Sequence, residues 1–186
     1  MIRLKALRGR CLHLQPTRYF DHWATNLQSQ PPAGPCADPL GINGLVFDVH
    51  GRLVLNRRSA HLHLRPGQLA PGFSGALEPR DLLGKSRIKG EDLLREYHEE
   101  LHPPASWPAP RLRLLGLVRE RARHGNPDLF VLCELPGAGE ELRGSTEGQP
   151  LILPPPHDPQ TLAQHGPLSI PLQTALKLWE DSRDGG

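Results

Sequence analysis

The stretch Leu94-Arg95-Glu96-Tyr97-His98-Glu99-Glu100-Leu101, closed by His102-Pro103-Pro104, constrains this chain more than any other. The prolines stop a helix, and the spacing of apolar residues predicts that helix over 92–101. At about 100° per residue, Glu96, Glu99 and Glu100 fall on one face with Asp92 beside them. Leu93, Leu94, Tyr97 and Leu101 form the neighbouring apolar stripe. Such a helix must lie against a core by one side and present carboxylates on the other. Glu96 and Glu100 are a repulsive i,i+4 pair, and none of the three glutamates has a lysine or arginine four positions downstream. Arg95 can pair backwards with Glu99 only. A hard divalent cation is one remedy, because magnesium favours carboxylate oxygens and keeps waters that phosphate oxygens can replace. A solvated acidic face is the competing reading, and the helix alone does not choose.

The rest of the chain surrounds this helix with strands. Residues 2–15 read as one or two short strands. Residues 19–26 read as a short helix whose apolar face is Tyr19, Phe20 and Trp23, packing the first forty residues onto the domain. Gly44 to Asp48 and Leu53 to Arg58 read as a hairpin about Val49-His50-Gly51. Residues 60–65 alternate as a strand, with His61 and His63 on one exposed face. Strands are expected over 112–119 and 129–135, a loop over 136–156, a capped helix over 158–163 and a terminal helix over 171–182 with Leu172, Ala175, Leu176 and Trp179 as its stripe. Strands, a central helix, more strands and a closing helix make an α+β fold with a mixed sheet. The expected organisation is an N-terminal extension over 1–40, one domain over 41–182 and a disordered tail over 183–186.

Composition narrows the function classes. The 186 residues carry 22 basic and 20 acidic side chains, a formal charge of +2. That balance disfavours a nucleic-acid binder, which usually has a strong basic excess. No run approaches the roughly 18 apolar residues of a membrane span, and Met1 to Arg8 has charges where a secretory signal has an apolar core. Cys11, Cys36 and Cys133 are odd in number and widely spaced, which predicts reduced thiols and a cytoplasmic protein.

In front of the acidic helix stands Pro71-Gly72-Phe73-Ser74-Gly75-Ala76-Leu77-Glu78-Pro79-Arg80-Asp81. Loop and helix together resemble the Nudix hydrolase box, G-x5-E-x7-R-E-U-x-E-E-x-G-U with U aliphatic. Gly75 matches the opening glycine, Asp81 stands where the family has glutamate, and Arg95, Glu96, Glu99 and Glu100 match the arginine and three glutamates. Tyr97 takes the first aliphatic position. Thirteen residues separate Asp81 from Arg95, six more than the pattern, and the insertion holds Lys85, Arg87 and Lys89. His102 replaces the late glycine. Because it precedes a proline, an extended exit from the helix is expected there.

The resemblance implies a Nudix-type α/β/α sandwich and hydrolysis of a phosphoanhydride in a nucleoside diphosphate linked to another moiety. It implies Mg2+, with Mn2+ as a substitute, held by Glu96 and Glu100, with Glu99 as a further ligand or the group that activates water, and the Gly75 carbonyl as a weaker ligand. Arg95 would orient the carboxylates, and Asp81 would support the box. The lengthened loop is similar to that of nonstandard Nudix enzymes acting on nucleotide sugars. Arg57, Arg58, Lys85, Arg87 and Arg121 are candidate substrate contacts, and Glu120, Glu134, Glu140 and Glu141 are candidate bases outside the box. The family is often dimeric, so a homodimer is compatible. A Nudix-fold module that binds a nucleotide without cleaving it is the alternative.

Overall fold

In the computed structural model, residues 1–8, 11–30, 32–82, 85 and 88–184 are described. Strand β3 (Gly41–Phe47) and strand β8 (Asn126–Glu134) run parallel at the centre of the sheet. Strand β7 (Arg111–Glu120) adds antiparallel to β8, with a register shift between Leu114 and Gly116. The other edge of β3 is divided. Its first half, Gly41 to Gly44, pairs with β6 (Phe73–Ala76), and its end, Val46 and Phe47, pairs with β4 (Leu53–Arg58). Strand β4 therefore leaves β3 after two residue pairs and pairs instead with β5 (Leu69–Ala70) and β9 (Gly148–Leu153). That divergence opens the sheet beside β6.

Alternation along the central strands feeds two cores. Val46, Val54, Val131 and Cys133 point to the layer holding Leu94, Tyr97 and Leu101. Leu45, Leu53, Leu55, Phe130 and Leu132 point to the opposite layer, where Leu162, Leu172, Ala175 and Leu176 cover them. A sheet covered on both faces needs apolar residues at successive positions, which is why Leu45-Val46 and Leu129 to Cys133 read as unbroken apolar runs. The first layer carries the helix α3 (Arg95–Leu101), and the second carries α4 (Pro159–Ala163) and α5 (Ile170–Asp184). Asp158 caps α4 by accepting from the Gln160 and Thr161 amides. The result is the three-layer sandwich with a mixed sheet. Among the described residues no helix is long and apolar enough to cross a membrane.

The N-terminal hairpin, β1 (Ile2–Arg8) and β2 (Cys11–Pro16), packs Ile2 and Leu4 on Leu40, Leu77 and Leu129. Ile2 also continues the backbone pairing, donating to Leu77 O at 2.8 Å and accepting from Leu40 N at 2.8 Å.

Several expectations are corrected. The short helix α1 (Tyr19–Ala24) faces inward with His22, while Tyr19, Phe20 and Trp23 are 63%, 70% and 47% exposed. The hairpin already anchors the extension, so the aromatics are not needed for it. Residues 60–67 are turns, not a strand, so His61 and His63 share no sheet face. Within the expected loop, residues 148–153 form β9, because Leu151, Ile152 and Leu153 find the free edge of β4. Its Pro150 is tolerated there, as on edge strands generally. Residues 90–93 form a short 3-10 turn, and α3 starts at Arg95. His102 is not extended: its φ of 39° and ψ of 60° put it in the left-handed conformation that a glycine would take. The terminal helix continues through Asp184, so Arg183 and Asp184 are helical where a disordered tail was expected.

Candidate functional site

The box residues meet where β4 diverges from β3. Leu94, Tyr97 and Leu101 are buried, and this packing turns Glu96 and Glu100 towards β6. Glu100 is 5% exposed, enclosed by β4 and β6. Its Oε2 accepts from Asn56 Nδ2 at 2.8 Å and its Oε1 from the Ser74 amide at 3.2 Å. Burial pushes its carboxyl pKa up to about 8 against the pull of those two donors, and the negative charges of Glu96 and Glu147 add to the rise. Glu96 lies against Gly75, where a Cβ would overlap its carboxylate, so only glycine admits this approach. Burial raises the Glu96 pKa too, with the Arg95 guanidinium opposing.

Arg95 ties the box together. Its Nε lies 3.2 Å from Asp81 Oδ1, and its terminal nitrogens donate to Ala76 O and Glu96 Oε1 at 2.7 Å and to Glu99 Oε2 at 2.8 Å. Asp81 in turn accepts from the Glu78 amide at 2.8 Å. The long insertion thus still returns aspartate to arginine. Glu99 stands apart, half exposed, between Arg95 and Arg80. Asp92 is not on the acidic face: it accepts from Lys85 Nζ and from the Lys89 amide at 2.7 Å.

The cleft in front of Ser74 and Gly75 is lined by Asn43, Arg58, Arg65, Arg123, Asn126, Asp128 and Glu147 from the domain, and by Met1, Tyr19 and His22 from the extension. The five candidate substrate contacts do not converge there. Arg58 faces the cleft; Arg57, one residue away on β4, points to the other side and donates to His165 O at 2.9 Å. Lys85 is engaged with Asp92. Arg121 lines a separate hollow with Val118, Ile170 and Pro171. Arg87 lies outside the described residues.

Of the candidate bases outside the box, Glu120 is buried in ion pairs with Arg65 and Arg123, and Glu140 pairs with Arg52. Glu134 lies 3.8 Å from Arg111, and Glu141 lines another hollow beside His102. Two carboxylates line the cleft: Asp128, buried and paired with Arg123, and Glu147, which is exposed and which sequence reasoning missed. Its only signal was its place just before β9, a strand that sequence reasoning also missed. Asn56 was missed likewise.

The donor set at Glu96, Glu100 and the Gly75 carbonyl is all oxygen, and two of its members are carboxylates whose pKa values burial raises. That chemistry suits a hard divalent cation. Among the described residues, no three His, Cys, Asp or Glu side chains converge closely enough to hold an ion as they stand. Glu96 and Glu100 instead rest on Arg95, Asn56 and Ser74.

No family model matches the chain, and no curated protein matches it in sequence. Solved structures do match it in fold. A Nudix hydrolase from Alicyclobacillus acidocaldarius superposes with a TM-score of 0.56 at 18% identity, over 75% of this chain and 89% of that one. The Nudix domain of Shewanella oneidensis NrtR, complexed with ADP ribose, gives 0.54 at 14% identity over 89% and 99%. A bifunctional NMN adenylyltransferase/ADP ribose pyrophosphatase from Francisella tularensis, complexed with AMP and a manganese ion, gives 0.53 at 16% identity over 81% and 43%.

Proposed function

With the Nudix fold as premise, we propose that this protein is a pyrophosphohydrolase that cleaves the phosphoanhydride of a nucleoside diphosphate linked to a second group, a sugar being the preferred class. The observation that carries this reading is the pair Glu96 and Glu100 set behind Gly75, with Arg58 and Glu147 facing the same cleft. The ADP ribose and AMP bound by the similar Shewanella and Francisella proteins support a nucleotide ligand.

Glu96, Glu100 and the Gly75 carbonyl would hold Mg2+ or Mn2+. When bound, such an ion neutralises phosphate charge and lowers the pKa of attacking water. Arg95 holds Glu96 and Glu99 in orientation through charged hydrogen bonds. Arg58 offers its guanidinium to a phosphate oxygen. The proton of the attacking water goes to the carboxylate of Glu147, which lines the cleft, or to that of Glu99, half exposed on the helix. A small-molecule nucleotide is the partner.

The test is magnesium-dependent release of phosphate-containing products from a panel of nucleoside triphosphates, nucleoside diphosphate sugars, dinucleotides and coenzyme A, beside Glu100→Gln. Turnover of a diphosphate sugar that the variant loses is the expected result. A second reading, a module that binds nucleotide without cleaving it, draws on one observation: both Glu100 oxygens are already held by protein donors. No turnover of any panel member, with a nucleotide still raising the melting temperature, would favour it.

A further inference from the structure

A larger hollow, of about 920 Å3, lies at the far ends of β3 and β8, within the size range of small-molecule sites, roughly 300–1,000 Å3. Phe47 and Glu134, paired across the two strands, line it, whereas Gly41 and Asp128, six residues back on each strand, border the box cleft. At the rise of a strand the two places are about 20 Å apart. Three half-buried rings wall the hollow together: Phe47 stands 5.0 Å from Trp179 and 5.3 Å from His157, centroid to centroid. Pro108, Pro110, Pro136 and Pro155 form another part of its lining. Proline has a fixed φ and no N–H, so these positions hold their shape and offer a ligand no backbone donor. A wall that is already ordered adds little to the cost of binding.

The charges at the hollow are unbalanced. Asp48 is bonded to Arg52, and Glu134 lies 3.8 Å from Arg111. Arg183, on the last turn of α5, sits over the Trp179 ring, 4.9 Å from its centroid. It has no carboxylate partner among the described residues; Glu180, Asp181 and Asp184 on its own helix are exposed and none pairs with it. Burial lowers the His157 pKa, so that imidazole is neutral at pH 7 and adds no further cation. A cationic ligand would be opposed by Arg183 and Arg111, and a purely apolar one would leave Arg183 unmatched.

We infer that this hollow is a second ligand site, built for a small planar aromatic anion: the ring of the ligand packs among Phe47, His157 and Trp179, and its anionic group pairs with Arg183. The guanidinium is a fixed planar fork that suits a carboxylate or a phosphate equally. A nucleoside monophosphate and an aromatic carboxylate therefore share the required chemistry. The site is remote from the box, and it stands whether or not the protein hydrolyses an anhydride.

The test is titration of the full-length, metal-free protein, reading the indole N–H signal of Trp179 by nuclear magnetic resonance, with that signal assigned through Trp179→Phe. The probes are adenosine 5′-monophosphate and anthranilate, each a ring with an anion, beside adenosine as a ring without the anion and ribose 5-phosphate as an anion without the ring. Trp179 lies far from the box, so a nucleotide bound in the box cleft leaves its signal in place. At least one of the two ring anions should shift the signal saturably, with a Kd tenfold or more below those of adenosine and ribose 5-phosphate. Which of them does so tells a nucleotide site from an aromatic carboxylate site. Arg183→Ala should weaken that binding about tenfold, the size of one lost charge-assisted contact. Arg183→Lys should recover part of it. Arg183 is exposed at the end of its helix, so both variants should melt as wild type does. A Trp179 signal that neither ring anion moves, equal shifts by adenosine or ribose 5-phosphate, or a Kd unchanged in Arg183→Ala overturns the site, even where hydrolysis at the box is found.

Discussion

Arg95 Nε lies 3.2 Å from Asp81 Oδ1 across fourteen positions of chain, with both side chains largely buried. The contact closes the lengthened insertion back onto the helix. A side chain one methylene shorter than glutamate still reaches, because Asp81 sits in a short helical turn, α2 (Pro79–Leu82), and is steadied by the Glu78 amide.

Arg95→Ala should therefore destabilise the fold strongly. It leaves Asp81 and Glu96 as buried carboxylates without their cation, a loss of about 3 kcal/mol. For a chain of this size that lowers Tm by roughly 6–12 °C. Arg95→Lys should restore little of it, since one ammonium cannot span Asp81, Ala76 O and Glu99 together. A thermal melt of the three proteins decides; an unchanged Tm in the alanine variant would show the pair to be ornamental.

Glu100→Gln separates stability from function. A carboxyl that burial already drives towards its neutral form loses little on becoming an amide. Asn56 Oδ1 has no partner among the described residues and accepts from the new amide once the Asn56 side chain turns over. The melting temperature without metal should hold or rise by a few degrees, while turnover falls at least about a hundredfold, the scale expected when a charge worth several kcal/mol leaves the reacting centre. A Tm rise with magnesium should be present in wild type and absent in the variant. The same magnesium shift in both would remove Glu100 from the metal site.

His102→Gly should stabilise the protein. A residue with a Cβ costs about 1 kcal/mol or more in the left-handed conformation His102 adopts, and glycine does not bear that cost. Tm should rise by roughly 2–4 °C per kcal/mol gained. A fall would mean that His102 makes a contact outweighing its strain.

Asp48 should govern part of the acid stability. Burial alone would raise its pKa, but the Arg52 side chain and the amides of Arg52, Gly139 and His50 outweigh burial and hold it below the ordinary carboxylate value. Because the folded pKa is the lower one, this contribution is complete above the unfolded value, near 4, and disappears as pH falls through the folded value. Urea unfolding between pH 5 and pH 2 should show a flatter acid limb for Asp48→Asn than for wild type. Parallel curves would exclude the contribution.

Much of the box could be read directly. Three carboxylates and an apolar stripe on one helix are set by spacing within ten residues, as are the apolar runs of β3 and β8 and the stripe of α5. Glu147, Asn56 and the outward Tyr19 could not be read that way. Glu147 reaches the cleft, and Asn56 reaches Glu100, because β9 pairs with β4 almost a hundred positions away and because β4 leaves β3. Tyr19 faces out because Ile2 and Leu4 had already satisfied the extension's need for burial.

By itself, then, the sequence determined what repeats at short range: the helix bearing Glu96, Glu99 and Glu100, the buried strands, and the arginine able to bind its neighbours. Only the tertiary structure decided which of those groups share a cleft, the conformation of His102 and the strand at 148–153. Periodicity is written in each segment's own residues, whereas the pairing of distant edges depends on which alternatives elsewhere in the chain have already been taken.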